Sequence, residues 1–114
     1  MHTSSIPEIQ VEELAILLAE GGDRQLIDVR EFQELEIAAL SGFIHLPLSE
    51  FAEWSGDIQN RLDANKETLV MCHHGMRSAQ MCQWLMAQGF TNVKNIAGGI
   101  DAYSRIVDSS VPQY

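Results

Sequence analysis

Short apolar runs separated by helix-length stretches constrain the fold of this chain more than any other feature. Leu26-Ile27-Asp28-Val29 and Thr68-Leu69-Val70-Met71-Cys72 are compact strand-like runs. Asn92 to Ile96 is a third, and Phe43 to Leu46, before Pro47, a fourth. Ile6 to Ile9 makes a fifth, expected at an edge because Pro7 has no N–H to donate to a ladder. Between them, residues 11–20 carry an apolar stripe at 11, 14, 15 and 18 and stop at Gly21-Gly22. The clearest helix is expected over Ser78 to Gln88, where Ala79, Cys82, Leu85 and Met86 share a face and Gly89 supplies the stop. Strands that alternate with helices predict an α/β domain, a mostly parallel sheet with helices on both faces.

The 114 residues suit a single domain spanning 1–114, with residues 1–5 expected to be a flexible N-terminus. With 16 Asp+Glu against 7 Lys+Arg the formal charge is −9, which argues against nucleic acid and anionic membrane surfaces as partners. No apolar run approaches the ~18 residues of a spanning helix. The start, MHTSSIPEIQ, lacks the basic and apolar regions of a signal peptide. Cys72 and Cys82 are too few for a disulfide framework and show neither CxxC nor zinc spacing. Free thiols fit a reducing compartment, and a cytoplasmic location is expected.

Chemistry concentrates where the run 68–72 ends in Cys72-His73-His74-Gly75-Met76-Arg77, just before a helix expected to begin near Ser78. In an open parallel sheet the reactive loops lie at the carboxyl ends of the strands. A cysteine before a helix N-terminus faces unpaired N–H groups that favour a thiolate. Gly75 allows the backbone to curl so that successive N–H groups, those of His73, His74 and Met76 included, point at one centre. Arg77 offers a planar cation able to hold an oxyanion at two points. A nucleophile inside a cradle for negative charge suits transfer of a charged group through a covalent intermediate. Adjacent Cys72, His73 and His74 do not converge easily on one tetrahedral ion, so neither a metal nor another cofactor is expected.

Several pieces stand in a fixed order: Leu26 to Glu31, Ser41-Gly42 to Leu46-Pro47-Leu48, Cys72 to Arg77 with Ser78-Ala79, Gly89-Phe90 with Val93, and Gly98-Gly99-Ile100 with Ala102-Tyr103. Together they resemble the single-domain rhodaneses, or sulfurtransferases, from about residue 6 to 114. The resemblance implies a single rhodanese-like domain with a five-stranded α/β fold, in which Cys72 takes a sulfane sulfur as a persulfide. It also implies that the loop N–H groups and Arg77 hold the bound sulfur or a small anionic donor such as thiosulfate. The acceptor would be cyanide in the test tube and a thiol or a sulfur-acceptor protein in the cell. Phe32 departs from the Pro common after the Asp-Val-Arg-Glu run, Ala38-Ala39 from a frequent Gly-His pair, and Tyr103 from a common Trp.

Two other functions share this scaffold. Related phosphatases and arsenate reductases resemble Cys-x5-Arg, whereas four residues separate Cys72 from Arg77, one too few to surround a phosphate. A sulfur carrier that hands a persulfide to a protein partner keeps the same cysteine, and turnover distinguishes it. Asp28 and Arg30 are expected near the active face as a structural ion pair or turn scaffold behind the loop, with Ser78 beside them. Cys82, Met81 and Met86 are expected in the core, His45 as a satisfied structural histidine, Met76 at the loop mouth and Trp84 partly exposed.

Overall fold

The computed structural model describes residues 6–114, so the expectation for residues 1–5 lies outside the described residues. Five strands form one sheet: β1 (Glu8–Ile9), β2 (Gln25–Asp28), β3 (Ile44–His45), β4 (Thr68–Met71) and β5 (Val93–Ile96). Their order is β1-β5-β4-β2-β3, and every pairing is parallel. Each strand therefore needs a crossover to reach its neighbour, which is the work of the intervening helices. These are α1 (Val11–Glu20), α2 (Phe32–Ile37), α3 (Phe51–Trp54), α4 (Ile58–Arg61), α5 (Met76–Ala87) and α6 (Gly99–Ala102).

β4 lies at the centre, buried along its length, and its side chains alternate between two cores. Leu69 and Met71 pack with Leu14 of α1 and Ile100 of α6. Val70 and Cys72 pack on the other face with Trp54, Ile58, Met81, Cys82 and Leu85 of α3, α4 and α5. Cys72 thus stands one residue beyond the central strand, on the face that α5 covers.

α5 begins at Met76 rather than near Ser78, because Gly75 already turns the chain with φ 103°. Its buried face is Ser78, Met81, Cys82 and Leu85, spaced 0, 3, 4 and 7. That face is rotated by one residue from the expected one, which leaves Met86 41% exposed instead of in the core. α2 has no buried residue, so it carried no stripe for a periodicity argument to find. Trp84 is half-buried and packs edge-on against Phe51 and Trp54. The Trp54 Nε1–H donates to the Pro47 carbonyl at 2.9 Å, tying the 47–54 segment to the core. His45 ends β3 with its Nε2 against the Arg30 carbonyl.

Candidate active site

Cys72 is 1% exposed, and its sulfur sits at the start of α5. The N–H of Gly75 donates to Sγ at 3.1 Å and that of Ser78 at 3.3 Å. The Ser78 hydroxyl lies 3.2 Å from the same sulfur. The two N–H groups, joined by the hydroxyl when its proton turns to the sulfur, form a nest suited to negative charge. Of the residues expected to supply these donors, Gly75 does so. Ser78, expected behind the loop, touches the sulfur directly. His73 and Met76 line the mouth.

The loop is held from outside by residues that loop chemistry did not point to. The N–H groups of Ile100 and Asp101 donate to the carbonyls of Cys72 and His73, each at 3.0 Å. Those bonds fix the first two carbonyls of the loop against the start of α6. The approach is close: a Cβ on Gly99 would stand 2.3 Å from the Cys72 oxygen and 2.4 Å from that of His73. Asn95 of β5 is buried and donates through Nδ2 to the Gly75 carbonyl at 2.9 Å. Its Oδ1 accepts from the Ser78 hydroxyl. That hydroxyl has one proton, which serves either Asn95 or the sulfur at a given moment. The spacing of residues 92–96 marked a strand but could not single out Asn95 within it.

Arg77 differs most from expectation. Its Nη1 and Nη2 donate to the two carboxylate oxygens of Glu34 at 2.7 and 2.9 Å. The fork assigned to a donor anion is filled from within the protein. The Arg77 guanidinium holds the Glu34 carboxyl down at about 2, and the carboxylate in turn raises the Arg77 pKa. Glu34 is fixed further by the Glu31 N–H at 3.0 Å and the Tyr114 hydroxyl at 2.8 Å. That hydroxyl accepts from Arg30 Nη1 at 2.9 Å, and Arg30, fully buried, pairs with Asp28 at 2.8 Å. Asp28 and Arg30 thus form a buried ion pair, joined to Arg77 through Tyr114 and Glu34. Burial pushes the Tyr114 hydroxyl up to about 12, so it stays a donor at neutral pH.

The opening above Cys72 has a volume of 220 Å³ and is lined by His73, His74, Met76 and Arg77. Met76 is 77% exposed there. The His73 ring stacks on Tyr114 at 3.8 Å, and burial, with His74 beside it, lowers its pKa. His73, His74 and Asp101 bring one potential metal ligand each within 4.8 Å of one another, a grouping without Cys72. Asp101 already accepts from Arg105 Nε at 2.9 Å. Cys82 lies fully buried in the apolar cluster, and burial pushes its thiol up to about 12.

Residues 10–106 match the family described as Rhodanese-like domain. The chain is 48% identical over 112 residues to the chloroplastic Rhodanese-like/PpiC domain-containing protein 12 of Arabidopsis thaliana, covering 96% of this chain and 38% of that protein. It is 34% identical over 99 residues to the putative sulfur carrier protein YrkF of Bacillus subtilis, covering 87% of this chain and 51% of that protein. The chain thus spans about half or less of the length of these two relatives. The solved human single-domain sulfurtransferase TSTD1 superposes with a TM-score of 0.73 at 25% identity, covering 90% of this chain and 98% of that one.

Proposed function

This chain belongs to the rhodanese-like domain family, a family of sulfurtransferases and sulfur carriers, and we propose that it is a sulfurtransferase working through a persulfide on Cys72. The nest of Gly75 N–H, Ser78 N–H and Ser78 hydroxyl around Sγ carries this reading. The donor is a carrier of sulfane sulfur, a class that includes thiosulfate and thiol persulfides. The Cys72 thiolate attacks that sulfur, the Sγ–S bond forms, and the bond to the donor breaks. With thiosulfate the leaving group is sulfite, which keeps the electron pair. Cyanide or a thiolate then takes the outer sulfur and returns Cys72 as thiolate. The sulfane sulfur keeps its oxidation level, so no external oxidant is consumed, and the cysteine itself carries the group. The donors on Sγ stabilise negative charge there before and after transfer, in a site already organised to receive it.

The same residues support a second reading, a carrier whose persulfide passes only to a protein partner. One relative bears the name of a putative sulfur carrier. The proposed setting is a reducing one, the cytoplasm, although the Arabidopsis relative is chloroplastic by name. Among the described residues no helix is long and apolar enough to cross a membrane. At a net charge of −9, nucleic acid is an unsuitable partner.

Turnover separates enzyme from carrier. With a sulfane donor and cyanide in excess, the wild type should release many equivalents of thiocyanate per protein by ping-pong kinetics. Cys72→Ser should reduce this to background, while Cys82→Ala should retain it. One equivalent and no more supports the carrier; activity lost in Cys82→Ala and kept in Cys72→Ser refutes the assignment.

A further inference from the structure

Arg77 is the cation beside the sulfur, and its two Nη atoms are engaged by Glu34. A bidentate guanidinium–carboxylate pair presents little net charge to a third ion. The pair is also braced, since Glu34 takes the Tyr114 hydroxyl and the Glu31 N–H, and Tyr114 is held by buried Arg30. Freeing Arg77 for an incoming anion would break both of its bonds to Glu34 and leave that carboxylate, still held by Tyr114 and Glu31, without its guanidinium. His73 adds no compensating charge, because burial favours its neutral form. A free dianion would also approach a molecule of net charge −9. At the mouth stands an apolar side chain instead, Met76, 77% exposed.

We infer that the sulfur donor is a persulfide borne on a thiol, and that Glu34 selects it over free dianions such as thiosulfate by occupying Arg77. The inference rests on the Cys72 persulfide reading and narrows its donor class. In this step the Cys72 thiolate attacks the outer sulfur of R–S–SH. The Sγ–S bond forms, the inner S–S bond breaks, R–S⁻ leaves with the electron pair, and the proton stays on the transferred sulfur. Charge is conserved, and the leaving group is a thiolate instead of the dianionic sulfite. Glu34 acts here as a positioning residue.

The test compares rates of sulfur loading onto Cys72 from thiosulfate, glutathione persulfide and a persulfidated cysteine peptide. Wild type should load from a persulfide at least about tenfold faster per unit concentration than from thiosulfate. The faster of the two persulfide arms identifies the carrier as small thiol or polypeptide. Glu34→Gln should lower the persulfide-to-thiosulfate ratio by about tenfold, chiefly through a smaller KM for thiosulfate. Tyr114→Phe should move the ratio the same way by less, and it decides the matter if Glu34→Gln does not fold. A wild type that loads from thiosulfate as fast as from persulfide overturns the inference and leaves the persulfide reading standing. Loading from none of the three donors overturns both.

Discussion

Glu34 and Arg77 are 43 positions apart, and no local pattern links them. Sequence reasoning found Cys72, Gly75 and Arg77 because a nucleophile, a turn and a cation fall within one loop. From the sequence Arg77 reads as an anion holder, because its partner carboxylate lies on α2, a helix with no buried stripe to mark it. The pair has a signature in pH. The Glu34 carboxyl is held at about 2 against an ordinary 4.5. A depressed carboxylate contributes stability that is full above its ordinary value and is lost as pH falls through the folded one. Urea unfolding of wild type and Glu34→Gln should therefore differ by about 1–2 kcal/mol from about pH 6 to 8. The difference should shrink as pH falls from about 4.5 towards 2. A gap that does not change over that range would mean that the carboxylate is not held by Arg77.

The existence and type of the long elements were readable, and their placement less so. Apolar spacing marks α1 and α5, but Ser78 is polar and falls outside the apolar stripe although it lies on the buried face of α5. It is buried because its hydroxyl meets Cys72 and Asn95. A polar residue satisfied in the interior is invisible to a hydrophobic pattern. α6 is one turn long, so its role is also hidden from periodicity; it is to brace the loop through Ile100 and Asp101. Gly99 is where that bracing is most sensitive, because its φ is 62° and any Cβ would collide with the backbone oxygens of Cys72 and His73. Gly99→Ala should cost about 3 kcal/mol or more by thermal or urea unfolding, since backbone must move rather than a side chain. It should also slow sulfur transfer more than an exposed control such as Gly56→Ala, where a Cβ meets nothing. Equal effects for the two substitutions would remove α6 as the brace.

At the scale of the molecule, alternating elements dictated a parallel α/β sheet, because parallel neighbours need crossovers. The order β1-β5-β4-β2-β3 was not readable that way, since it depends on which crossovers cover which face. The consequence is functional: β4 becomes central, so Cys72 emerges between two cores, with β5 supplying Asn95 and the segment after β2 supplying Arg30 and Glu34. The account stands on the sulfur of Cys72. Intact-protein mass spectrometry after exposure to a thiol persulfide or thiosulfate, followed by cyanide, tests it most directly. The account predicts a gain of one sulfur atom, mapped to Cys72, lost on cyanide and absent in Cys72→Ala. A stable adduct on Cys82, or no cyanide-labile sulfur on the wild type, would contradict it.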